Sequence, residues 1–439
     1  MNKNLNNELS LLVKCKKNIL SNGFTCLLAP DKRFPLISFQ LWVKSGSVFE
    51  KQYYGSGISR FLEHLLLRGS SGSAGAGKYF QRLAEMGAVD SNAHTSHEYS
   101  AYFFTINYKY LAEGVKTLAD LIGRPLFDEE TVRREKKTIA AELERGSVNT
   151  AILVSDFLAK RYTVHPYKYP VLGYKDHFTK LTAADLKLYY LEKYCADNMV
   201  LSISGNFEIR EAEKIISKNF AAFRYGCSGS DNFPEESPRT NAAFYKVGLN
   251  TDISCIKSGY LTCAVGDKDM YALDVLSRII IQSRESFLNK KYIAAGLVSN
   301  CSCRSWTPLY KGTFELEYTP AAEQENDLHR KMTADLAAVK VTTDQLREAK
   351  YFIYKEVICQ LQSIKGKAFS LASNEFFTGN CCFDHYYLQN IDAVTIADIE
   401  RIINKYLSPD KAVTVYYKST NRDNKKIKNL KKKLIASCS

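Results

Sequence analysis

At 439 residues, with 45% hydrophobic and 24% charged side chains, the chain can bury a large core and divide into two or more domains. This composition excludes global disorder and a fibrous repeat. Net charge is +13 and concentrated at one end, since residues 418–439 carry eight basic side chains against Asp423. That run reads as a solvated tail or as a contact for an acidic partner, and it lacks interleaved aromatics that would stack on bases.

From the N-terminus, the apolar run 9–13 is cut off by Lys14, Lys16 and Lys17, and no later segment reaches spanning length without charges. Neither a signal peptide nor a membrane span is expected, and the expected location is cytoplasmic. The twelve cysteines are irregularly spaced and read as reduced thiols. Segments 24–29 and 36–43 read as strands. Gly55-Ser56-Gly57 then leads into an apolar helix over 58–67, with Ser56 as its cap and a stop at Arg68-Gly69.

That helix carries Arg60-Phe61-Leu62-Glu63-His64. In the pattern H-x-x-E-H, two imidazoles at i and i+4 share a face and hold zinc, and the glutamate takes a proton from metal-bound water. Here the glutamate and the second histidine are present, and Arg60 stands at the first position. Residues 72–78 match G-x-x-x-x-G-K, but a helix precedes them and Tyr79 follows, which is the wrong setting for a phosphate loop.

Further on, 79–86 reads as a short helix, 88–107 as two paired strands, and 109–122 and 128–145 as helices, the latter capped by Asp128. Helices over 151–162 and 183–194, a strand over 199–204 and a helix over 208–223 close this half. The Gly, Ser and Pro content of 225–239 marks a linker. The element order then repeats and ends in a strand over 412–417 like the one at Met199. The expectation is an α+β chain of two similar halves, each a mostly antiparallel sheet covered by helices on one face. The boundaries are 1–225, a linker at 226–240, 241–417 and a basic tail at 418–439.

Residues 57–69, 91–103 (Ser91-Asn92-Ala93-His94-Thr95-Ser96-His97-Glu98-Tyr99 and onward), 134–144, 165–173 and 194–205 resemble the pitrilysin-type zinc metallopeptidases, whose relatives include the mitochondrial processing peptidase subunits. The resemblance implies Glu63 as general base, His64 and Glu142 as zinc ligands and Glu135 as the supporting acid two turns before Glu142. It also implies that Asn92, Ala93 and His94 lie on an edge strand that pairs with an extended peptide. Two departures stand out. Arg60 replaces the first ligand, and the stretch 292–299 lacks an Arg and Tyr pair that some members supply.

A guanidinium has donors only and cannot bind a metal. Two readings follow. In one, Arg60 fills the metal hole and makes fork-shaped bonds that neutralise Glu63 and Glu142. In the other, His94 joins His64 and Glu142 in a rebuilt zinc site and Arg60 turns outward. The first predicts a non-catalytic or weakly active subunit that binds extended peptides and forms a homodimer or heterodimer with a relative. The alternative is an active zinc endopeptidase.

Overall fold

The computed structural model describes residues 14–68, 78–144, 150–226, 231–249, 254–282, 286–321 and 325–420. The Gly-rich stretch 69–77 and the tail beyond 420 lie outside them. Two compact units interleave along the chain. One comprises Met1–Arg145, Tyr162–Glu235 and Tyr354–Asp392, and the other Gly146–Arg161, Glu236–Ile353 and Ala393–Ser439. The change from Glu235 to Glu236 falls inside the Gly/Ser/Pro-rich stretch.

In the first unit, β1 (Lys16–Ile19), β2 (Thr25–Pro30), β3 (Leu36–Val43), β4 (Val89–Thr95), β5 (Ser100–Asn107) and β6 (Met199–Gly205) form one sheet. Their order is β1-β2-β6-β3-β5-β4, antiparallel except for β2 beside β6. β4 is thus an edge strand. In the second unit, β7 (Ala243–Leu249), β8 (Cys255–Leu261), β9 (Val298–Trp306), β10 (Thr313–Pro320) and β11 (Val413–Ser419) take the order β7-β11-β8-β10-β9. Only β7 and β11 are parallel. Without β1 the two orders coincide strand for strand, with the parallel pair in the same place. The duplication expected from element order is present as topology, and β11 is the counterpart of β6.

Helices α1 (Ile58–Arg68), α2 (Glu129–Glu144), α3 (Thr150–Arg161) and α4 (Ile364–Thr378) organise the site and the exchange between halves. Side chains alternate along β3. Ile37, Phe39, Leu41 and Val43 enter a core with Phe61, Leu62 and Leu65 of α1 and Val132 and Ile139 of α2. Ser38, Gln40 and Trp42 point to the other face and are also buried. That second face is covered by α4, more than 300 positions later in the chain. Trp42 and Ala101 pack on Ala372, and Leu27 and Ala29 pack on Leu371. The buried ion pair of Lys367 Nζ with Asp31 Oδ2, at 2.8 Å, pins α4 to the end of β2. Conversely, α3 belongs to the second unit, where Tyr417 donates to the Leu153 carbonyl at 3.1 Å and Phe157 occupies the space beside Gly259. The α+β fold expected from the pattern therefore holds, and each unit also borrows a helix from the other half of the sequence.

The start of α1 is held tightly. Gly57 has φ +68°, and a Cβ there would meet the Leu172 carbonyl oxygen at 2.7 Å, so the 165–173 turn needs glycine against it. Glu50 is buried and accepts from Ser59 N at 3.1 Å. Its other oxygen has no hydrogen-bond partner, and burial pushes its pKa from 4.5 up to about 8. The folded state thus holds a proton that the unfolded state releases between those values, and stability falls as pH rises from about 4.5 through about 8. Glu50→Gln is expected to flatten the melting temperature between pH 5 and 9 and to be the more stable form at the alkaline end. Parallel wild-type and variant pH curves would contradict this.

The cysteines depart from expectation at one place. Cys195 is disulfide-bonded. Nine others, Cys15 and Cys26 among them, are free. The Cys195 bond departs from the reading of all twelve cysteines as reduced thiols. Among the described residues no helix is long and apolar enough to cross a membrane.

Candidate metal helix and peptide edge

The apolar side of α1 faces the core, and its polar side meets β4. Glu63 is only 3% exposed. Thr95 Oγ1, from β4, donates to Glu63 Oε2. Arg60 Nη1 lies 3.4 Å from Glu63 Oε1 and 3.3 Å from Oε2. Arg60 therefore does turn to Glu63, but through one nitrogen shared by both oxygens. The expected two-nitrogen fork is absent, because Thr95 already holds one oxygen and the ion pair spans only i to i+3 on one helix.

His64 is buried beside this pair. Burial first, then the positive charges of Arg60 and Arg68, push its pKa down to about 4. The imidazole is neutral at pH 7 and keeps a lone pair, as a ligand would need. Glu135 is buried on α2, with Arg134 Nε 3.3 Å from Oε1 and Arg68 Nε 3.8 Å from Oε2. Its place is a brace between α2 and the last turn of α1. Glu142 lies two turns further along α2, and its side chain is outside the described residues.

On β4, after an irregularity between Val89 and Asn92, the alternation is regular from Asn92 to Thr95. Ala93 and Thr95 are buried, while Asn92 and His94 are exposed. Thr95 points at Glu63, so His94 belongs to the opposite face. Its ring lies 6.0 Å from that of Tyr99, which stacks on Trp42. The expectation that His94 approaches His64 is not met by these contacts, because the face of β4 that meets α1 is the Ala93–Thr95 face. Partial loss of solvent around its ring, then the charge of Arg60, lowers the His94 pKa. Asn92 Oδ1 accepts from Ala93 N at 2.9 Å.

Two features were not apparent from sequence. Thr95 stands in the motif but only the fold reveals its bond to Glu63. A pocket of about 530 Å³ also adjoins the edge strand on the His94 face. Trp42, Tyr99, Phe103 and Phe369 wall it, and Lys365 and Ser363 at the start of α4 border it. No local sequence signal links α4 to β4. Tyr292, in the stretch without the expected Arg and Tyr pair, is buried and donates to Asp335 Oδ2 at 2.5 Å.

Zinc needs three protein donors with lone pairs at a catalytic site. His64 qualifies, Arg60 does not, and His94 stands on the other face. Among the described residues no group of three or more His, Cys, Asp or Glu side chains is arranged to hold a metal. The described donor set does not fit a three-ligand zinc centre.

Comparison with known proteins matches residues 29–174 to the insulinase (peptidase family M16) model and residues 180–352 to the peptidase M16 inactive domain. The chain is 24% identical to an uncharacterized zinc protease, YmxG, of Bacillus subtilis, over 92% of this chain and 99% of that protein. It is 29% identical to the mitochondrial-processing peptidase subunit beta of Blastocladiella emersonii, over 49% of this chain and 45% of that protein. A protease structure from Helicobacter pylori superposes with a TM-score of 0.84 at 22% identity, covering 92% of this chain and 99% of that one. With two sheets of matching strand order and family models matched over 29–174 and 180–352, this chain belongs to the insulinase-type M16 peptidases, the pitrilysin-type family.

Proposed function

We propose that this chain is a pseudopeptidase of its family, a non-catalytic or weakly active subunit that binds extended peptide at β4 and pairs with an active relative. The observation that carries the reading is the Arg60 to Glu63 contact. The cation sits where the motif calls for a ligand, and it engages the very carboxylate that would act as base. Arg60 and Thr95 both direct donors at this carboxylate, which leaves fewer of its lone pairs for the proton of a water. The edge of β4 offers backbone donors and acceptors to an added strand, which gives affinity with loose side-chain preference.

The partner reading draws on the processing-peptidase subunit among the relatives, which by its name is one subunit of an assembly. Zinc remains the metal the family implies. The second reading, an active endopeptidase using His64, Glu142 and His94, is disfavoured by the face on which His94 stands. A peptide-cleavage assay on the isolated wild-type chain, with and without chelator, tests the proposal. No cleavage above background in either condition is expected. Chelator-sensitive turnover by this chain alone would sink it.

A further inference from the structure

Arg60 is not fully used by its helix neighbour. Among the described residues its only hydrogen bonds run from Nη1, to Glu63. To the described residues Nε and Nη2 make none, and the side chain is 26% exposed. The contact with Glu63 is at the long end of the hydrogen-bond range, whereas a charge-assisted Arg–carboxylate bond is typically shorter, near 2.7–2.9 Å. The guanidinium therefore presents an open planar edge at a partly exposed position.

Its location is defined by β4. Thr95, the last residue of β4, and Arg60 hold the same carboxylate. Arg60 thus lies beside the Thr95 end of the edge strand. A strand added along β4 would pass this cation on the α1 side of the sheet. An internal peptide segment offers only neutral carbonyls there, worth one ordinary bond each. A chain terminus offers a planar carboxylate, the shape and charge that two guanidinium donors match.

We infer that the β4 edge of this chain selects peptides with a free C-terminus, whose α-carboxylate is received by the open edge of the Arg60 guanidinium. Replacement of a metal ligand by a fixed cation changes the ligand class of the site from an internal peptide bond to a terminal carboxylate. The pocket walled by Trp42, Tyr99, Phe103 and Phe369 opens on the His94 face of the same strand. It would receive a side chain of the bound segment, since alternate side chains of an added strand point to that face. In chemical terms, the preferred ligand is the kind of fragment that a peptidase releases, with its new carboxyl end at Arg60.

This inference rests on the peptide-binding reading. Its test uses N-terminally fluorescein-labelled random octapeptide pools, identical except for a free acid or an amide at the C-terminus, titrated by anisotropy against the full chain. The acid pool is expected to bind about tenfold or more tighter, the range for hydrogen bonds to a charged group. Arg60→Gln is expected to bring the acid down to the level of the amide. Arg60→Lys, which keeps the charge without the planar pair of donors, should retain only part of the preference and covers the case in which the glutamine variant fails to fold. Equal binding of acid and amide to the wild type would overturn the carboxylate inference and leave peptide binding standing. No binding of either pool would overturn both.

Discussion

Arg60→His is expected to yield a chain that keeps about one zinc through dialysis, where the wild type keeps less than about a tenth as much. The change supplies the missing lone pair one helical turn from His64, on a helix whose backbone is already set by Gly57 and Glu50. It also removes the positive charge that helps keep the His64 pKa near 4 and that binds Glu63. Loss of even an outer-sphere partner costs a metal site about 10- to 100-fold in affinity, so regaining a direct ligand should exceed that. The measurement is zinc content by plasma mass spectrometry on protein purified without chelators. Equal zinc in wild type and variant would mean that the guanidinium does not exclude the metal. Zinc in neither would mean that the third donor, which the resemblance assigns to Glu142, is not in reach of His64.

Trp42→Ala is expected to carry the largest stability cost, about 3–5 kcal/mol by comparison with other buried aromatic truncations. For a unit of this size that corresponds to a fall of roughly 10 °C in melting temperature. Trp42 stacks on Tyr99 at 4.0 Å and meets Phe369, Phe376 and Phe377 at 5.5, 5.7 and 6.3 Å. It is the main apolar contact by which the second face of β3 holds α4, so its loss opens a cavity that backbone relaxation cannot fill. The chain has only two tryptophans. Trp306, half-buried on β9, is the internal control, and Trp306→Ala should cost distinctly less. A fall of under about 2 °C for Trp42→Ala would contradict the packing argument.

Much of the fold was legible because it is written in local periodicity. The helix over 58–67, the strand pair over 88–107 and the Asp128 cap are all observed, the last with Thr131 N donating to Asp128 Oδ1 at 2.8 Å. The repeat of strand order was also readable, because each half has its own alternation and its own turns. The exchange of α3 and α4 was not. Ser38, Gln40 and Trp42 share the second face of β3, but their residue types do not say that it is buried or which segment covers it. That choice is made by contacts between residues far apart in the chain, such as Lys367 with Asp31.

The same division holds at the site. Helical spacing alone puts Arg60, Glu63 and His64 within one turn, and chemistry alone bars a guanidinium from ligating a metal. Period-two alternation alone puts His94 and Thr95 on opposite faces of their strand. It is symmetric, however, and does not say which face meets α1. Only the packing of β4 against α1 turned Thr95 to Glu63 and His94 to Tyr99 and the α4 pocket. Sequence by itself therefore determined that an arginine, which cannot ligate a metal, stands at the first position of the motif. The tertiary structure decided which face of β4 meets α1, and it set Thr95 rather than His94 on that face, because packing and not alternation orients a strand.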